Sequence, residues 1–198
     1  MKDSTPASNE TKLGILNKYE LDLLEAACLK KTFDYLYKHL YLGFDSLLIN
    51  QAHYQGFKEL YSWAGEYRNT EPMVGHLELA PYYMVPTMMK NLCDDLECRQ
   101  NYLDADDLHQ VVALIAWFEH KFIVIHPYNN TNGRMGRMLT NIILLKLGYP
   151  LLTYANRSLN RSCYIDAMRA ADKNDFSKLE CIIAEDLDHA IQDYQLQL

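Results

Sequence analysis

The 198 residues carry a formal charge of −7, with 49% hydrophobic and 23% charged side chains, which suits one globular domain with a sizeable core. That negative balance excludes a basic surface for bulk nucleic-acid binding, and the sequence suggests no membrane span. Five cysteines without Cys-x-x-Cys spacing point to reduced thiols, and the opening residues lack the apolar core of a signal peptide. The expected setting is cytoplasmic, with export as an effector through a specialised secretion system still open.

Residues 1–12 are polar and aperiodic and are expected to be a mobile tail before a single domain over 13–198. Leu21, Leu24, Cys28, Leu29, Phe33, Leu36 and Leu40 fall at helical spacing, as do Leu47, Ile49, Ala52, Phe57 and Leu60, with a turn near Gly43 between the two runs. From Glu66 to Leu79 the helical pattern breaks, punctuated by Pro72 and Gly75, and a short hairpin or flap is expected there. Tyr83–Cys98 resumes as helix. Asp104 is the expected N-cap of the next helix, which carries Leu108, Val111, Val112, Ile115 and Phe122. Met138–Leu147 is apolar almost all round, as a central helix would be, and stops at Gly148 with Pro150 beyond. Two further helices are expected, over about 161–171 and 176–192. The fold class is mainly α, a helical bundle with one small β-hairpin near residues 68–79.

Residues 126–137 read His-Pro-Tyr-Asn-Asn-Thr-Asn-Gly-Arg-Met-Gly-Arg, a polar loop that opens the apolar helix. The first N–H groups of a helix lack internal acceptors and the macrodipole favours negative charge there, so the loop is a natural anion site. Arg134 and Arg137, three apart and on one face, offer forked donors to phosphate oxygens. His126 is the one group in the loop that titrates near neutral pH, hence the candidate general base. Asn132 is expected both to cap the helix and to orient the loop, and Gly133 permits close phosphate approach, a turn with positive φ, or both together. Asn141, one turn beyond Arg137, is a candidate nucleotide contact or a buried amide satisfied by backbone.

The stretch resembles the Fic family signature, His-x-Phe-x-Asp/Glu-Gly-Asn-Gly-x-x-x-Arg, with His126, Asn132, Gly133, Arg134 and Arg137 at matching positions and Tyr128 in place of Phe. Tyr61-Ser62-Trp63-Ala64-Gly65-Glu66-Tyr67-Arg68 resembles the Trp-Ala-Gly segment before the family's target-docking hairpin, and Leu79-Ala80-Pro81 resembles its exit. The resemblance implies a Fic-type bundle that transfers AMP from ATP-Mg to a Ser, Thr or Tyr hydroxyl of a target protein. In that reading His126 is the base, Thr131, Asn132, Gly133, Arg134, Arg137 and Asn141 attend the nucleotide, and Thr70, Glu71, Pro72, Met73, Val74 and Gly75 form a flap that pairs with an extended target segment.

Asn130 stands where the family carries a Mg²⁺-holding carboxylate, and Thr131 stands at its first glycine. Mg²⁺ prefers anionic oxygen, so restoring a carboxylate at 130 is expected to strengthen metal capture. Two other readings stay open on these departures: a transferase with another donor (UMP, phosphate or phosphocholine), or a nucleotide-binding or interaction protein whose catalysis has decayed. Neither residues 1–25 nor 172–198 contain the Ser/Thr-x-x-x-Glu-Gly/Asn pattern of the family's inhibitory helix. The resemblance is therefore to members that take their inhibitor from a separate small partner protein.

Overall fold

The fold starts earlier than the sequence suggests. In the computed structural model, which describes residues 10–39, 41–71, 79–154 and 160–196, the strands β1 (Glu10–Thr11) and β2 (Gly14–Ile15) pair antiparallel, Glu10 opposite Ile15. Thr11 is buried, its hydroxyl donates to the Gly14 carbonyl at 2.7 Å, and the Lys12 N–H reaches the Leu60 carbonyl at 2.9 Å. Residues 10–12 are thus fixed in place, and the expected tail boundary at 12 moves back. The remainder of that tail, residues 1–9, lies outside the described residues, as do Pro72, Met73, Val74 and Gly75 of the expected flap. Among the described residues the flanks of that flap, 68–71 and 79–80, are not strands.

Seven α-helices follow among the described residues: α1 (Lys18–Lys38), α2 (Ser46–Phe57), α3 (Val85–Asn101), α4 (Leu108–Ile125), α5 (Asn132–Lys146), α6 (Arg161–Ala171) and α7 (Ser177–Gln195). The mainly α class holds. Contacts divide the chain into two compact units, one over Met1–Glu97 and Phe122–Met138, the other over Cys98–Lys121 and Leu139–Leu198.

In the first unit, α1 begins with a reciprocal cap: Asn17 Oδ1 accepts from the Glu20 N–H while Glu20 reaches back to the Asn17 N–H. Asp45 caps α2 through the Leu48 N–H at 2.7 Å. The buried stripe of α1 runs Leu21, Glu25, Cys28, Thr32 and Leu36, and packs on α2. The two helices cross closely at Gly56, where an added Cβ would stand 1.9 Å from Thr32 Oγ1 and 2.6 Å from the Cys28 carbonyl. No other residue type fits there without separating the helices.

The second unit buries Val111, Ile115 and Phe118 of α4, Leu139, Ile142 and Ile143 of α5, Ala167 and Met168 of α6, and Leu179, Ile183 and Leu187 of α7. Within this unit, Glu119 accepts from the Tyr164 hydroxyl at 2.8 Å and His120 meets Asp172 at 2.9 Å. The α4 cap is Asp107, not Asp104: its carboxylate accepts from the His109 N–H at 3.0 Å, while Asp104 closes the preceding turn on the Asp106 N–H. By length and composition α4 could cross a membrane, with mean hydropathy 1.4 over 18 residues, contrary to the expectation from sequence. Because 56% of it is buried and its Glu119 and His120 are bonded to neighbours, α4 serves here as a core helix. Gly148, the expected stop of this helix, follows α5 in the left-handed conformation at φ 85°. All five cysteines are free thiols, Cys28 and Cys93 buried, Cys98, Cys163 and Cys181 exposed.

Candidate functional site

The loop between α4 and α5 lies wholly in the first unit. His126 follows the last turn of α4, its N–H closing on the Phe122 carbonyl at 3.0 Å and its backbone held at φ 50°, a region β-carbon-bearing residues seldom occupy. Arg68 holds it there. That side chain is 2% exposed; its Nε donates to the His126 carbonyl at 2.7 Å, Nη2 to the Ile125 carbonyl at 3.2 Å and to the Ala80 carbonyl, and Nη1 to the Thr70 carbonyl at 3.1 Å. The Arg68 N–H also donates to the Pro127 carbonyl at 2.8 Å. Burial pushes the His126 imidazole down to about 4, against the upward pull of a backbone hydrogen bond to Ile123 and with a smaller downward push from the Arg68 charge. The ring is therefore neutral at pH 7, the form that can accept a proton.

Tyr128 is fully buried where the family pattern has Phe; its ring stacks on His53 at 3.9 Å and its hydroxyl donates to Asn50 Oδ1 at 2.8 Å. His53 is a structural histidine: its Nδ1 accepts from the Gly65 N–H at 2.9 Å, and burial lowers it to about 3. Gly65 itself requires the positive φ of 78°. The Trp-Ala-Gly segment thus supports the loop through His53, Tyr128 and Arg68.

Asn132 clamps the loop, its Oδ1 accepting from the Tyr128 N–H at 2.9 Å and its Nδ2 donating to the Tyr128 carbonyl at 2.7 Å. Its amide orients the loop and does not cap the helix. Thr131, at φ 68° and 4% exposed, gives its carbonyl to the Met135 N–H at 2.8 Å, which opens α5. Its hydroxyl donates to the Asn130 carbonyl at 2.6 Å and its N–H to Asn130 Oδ1 at 2.7 Å, so both polar groups turn inward and neither is offered to a phosphate. The N–H groups of Asn132, Gly133 and Arg134 form the first helical turn and have no acceptor within the helix.

Gly133 has helical backbone, so the turn reading is corrected; a Cβ there would lie 3.7 Å from Arg137 Nη1, which places that guanidinium over the opening of α5. Arg134 is ion-paired with Glu25, its Nη2 on Oε2, and stands 3.7 Å from Asp22 through Nη1. Of the two readings of Asn141, the amide satisfied by backbone is the one seen: it is bound at both ends to the backbone of Leu152, at 3.1 and 2.9 Å.

Residue 130 does not fit a Mg²⁺ ligand. Its Oδ1 accepts from the Thr131 N–H, and its Nδ2 donates to Glu25 Oε1 at 3.1 Å and to the Tyr61 hydroxyl at 3.4 Å. A carboxylate can only accept, so the face toward Glu25 must be the NH₂ and the oxygen must point the other way. Among the described residues no group of three or more His, Cys, Asp or Glu could hold a metal.

Two residues that hold this loop escaped the sequence reading. Arg68 binds carbonyls, which leave no sequence pattern. Glu25 had a signal: it lies four after Leu21 and three before Cys28, a carboxylate in the middle of an apolar stripe, and such a group needs a partner.

The Fic/DOC family model matches residues 43–144, which span α2 to most of α5. A Fido domain-containing protein of Dictyostelium discoideum is 30% identical over 55% of this chain and 72% of its own length. A probable protein adenylyltransferase of Aquifex aeolicus is 38% identical over 47% of this chain, but the match covers only 26% of that protein. BepC, a VirB-translocated effector of Bartonella tribocorum solved with AMPPNP bound, has the same fold with a TM-score of 0.65 at 15% identity, over 92% of this chain and 94% of that one. With the motif loop and the Trp-Ala-Gly support both lying inside the residues that the family model matches, the chain belongs to the Fic/DOC family.

Proposed function

We propose that this chain is a protein adenylyltransferase, active in the cytoplasm, that moves AMP from ATP to a hydroxyl side chain of a target protein. The observation that carries the reading is a neutral His126 fixed beside the open N-terminus of α5, with Arg137 over Gly133. The triphosphate, arriving with its own Mg²⁺ as substrate, would lie along the N–H groups of 132–134 and the Arg137 guanidinium. His126 takes the proton of the target hydroxyl, the hydroxyl oxygen forms a bond to the α-phosphorus, and the bond to pyrophosphate breaks. Adenylyltransferase names among the relatives and AMPPNP in BepC support the reaction class and the nucleotide. Incubating the purified chain with a cell lysate and labelled ATP, UTP or CDP-choline tests it. Label transferred only from the α-phosphate of ATP upholds the reading; label from UTP or CDP-choline alone replaces the donor; no transfer from any donor replaces the enzyme with a binding protein.

Two expected results arise here. The acid limb of kcat/KM, which reports the free protein, should fall near pH 4, while that of kcat should lie higher, because bound polyphosphate charge favours the imidazolium. Superimposed limbs near the usual histidine value in a pH–rate series would overturn the assignment of the lowered imidazole as base. Gly133→Ala should fold with an undiminished melting temperature, since its Cβ makes only ordinary contact and alanine favours helix by about 1 kcal/mol. It should nonetheless lose ATP affinity, because the methyl stands where phosphate must approach. Calorimetric titration showing wild-type affinity would remove phosphate from that turn.

A further inference from the structure

Glu25 lies in the middle of α1, 105 residues from the loop it touches, and it is fully buried. Its Oε1 accepts from both the Tyr61 hydroxyl and Asn130 Nδ2, and its Oε2 is ion-paired with Arg134. One carboxylate therefore holds the residue that precedes Thr131 and the arginine in the first turn of α5. A buried carboxylate is tolerated only when it is paired, and here two hydrogen-bond donors on Oε1 and the Arg134 ion pair on Oε2 supply that.

We propose that Glu25 is the positioning residue of the phosphate loop, and that residue 130 is an amide because it must donate to Glu25. The inference rests on the reading that this loop binds nucleotide. An aspartate at 130 would set a second carboxylate about where a 3.1 Å hydrogen bond now stands, and would lose the donor as well. The carboxylate that the family pattern places in the loop is supplied here from α1, where it orients the loop and Arg134 without facing the anion site. Restoring a loop carboxylate is thus expected to damage nucleotide binding, the opposite of the expectation drawn from the sequence.

The test is a charge swap on the full chain, comparing Asn130→Asp, Glu25→Gln and the double variant by thermal melting, by calorimetric ATP titration with Mg²⁺, and by the division of any kinetic effect between KM and kcat. Each single variant should weaken ATP binding by about tenfold or more, the equivalent of one charge-assisted hydrogen bond. Saturating Mg²⁺ should not rescue Asn130→Asp. The double variant should recover affinity to within about threefold and regain most of the lost melting temperature, because the amide at 25 can donate to the carboxylate at 130 while its oxygen accepts from Arg134. Rescue of this kind distinguishes positioning from general damage to the core.

Wild-type or tighter ATP binding by Asn130→Asp would overturn the proposal, and so would a double variant no better than the worse single one. If Asn130→Asp fails to fold, recovery of folding by the double variant upholds the proposal and its absence overturns it. Failure of the wild type itself to bind ATP would defeat the proposed function, whereas the melting-temperature rescue reads the Glu25–Asn130 pairing without nucleotide.

Discussion

His126→Ala should lower kcat by about 10²–10⁴-fold, the usual contribution of a positioned general base, while leaving folding and ATP affinity close to those of the parent. The separation follows from how the residue is held. Arg68 grips the His126 carbonyl, which the substitution keeps, and the ring itself gives up only its backbone hydrogen bond to Ile123. The N–H groups of α5 and the Arg137 guanidinium are untouched. Transfer of labelled AMP and calorimetric ATP titration measure the two halves, and wild-type transfer by the variant would remove His126 from proton abstraction.

Arg68→Ala should have the largest effect on stability. The carbonyls of His126, Ile125, Ala80 and Thr70 all accept from this one buried guanidinium. Each acceptor deprived of its donor away from water costs about 1–3 kcal/mol, so a total loss of about 4 kcal/mol or more is expected, before any cavity is counted. For a chain of this size that lowers the melting temperature by about 8–16 °C. Arg68→Lys keeps the charge but presents a point donor to four divergent carbonyls and should fall between the two. Differential scanning calorimetry checks both; a drop below about 2 °C for Arg68→Ala would mean that solvent or backbone rearrangement replaces these bonds. Whatever fraction remains folded should transfer poorly, because the same guanidinium fixes the backbone of His126.

The helices were legible because burial imposes a period. α6 runs over Arg161–Ala171 as its apolar spacing indicates, and the end of α5 at Gly148 follows from a conformation glycine adopts at low cost. The α4 cap was misread by three residues because Asp104 and Asp107 are chemically alike, and only geometry tells which carboxylate meets the helix and which meets the turn before it. In the site, the residue types of the loop pointed to an anion near a base, but not to how each amide is used. Asn132 and Asn141 have the same side chain and each clamps a stretch of backbone, one beside His126 and the other at Leu152 in the second unit. Nothing local distinguishes them. The groups that hold the loop, Glu25 and Arg68, act 105 and 58 residues away from their loop partners, at distances that no motif spans.

The close crossing at Gly56 sets the tolerance to which the site is aligned. Glu25 precedes Cys28 by less than one helical turn on a stiff rod, and the Cys28 carbonyl is among the atoms that a side chain at 56 would strike. An outward shift of α1 there would be passed along the helix to Glu25, lengthening its grip on Asn130 and Arg134 together. The registration of a charged cradle thus depends on a position, two helices away in the chain from α4, that carries no side chain at all. Drift at that point would be felt as misalignment of the loop well before it was felt as loss of the fold.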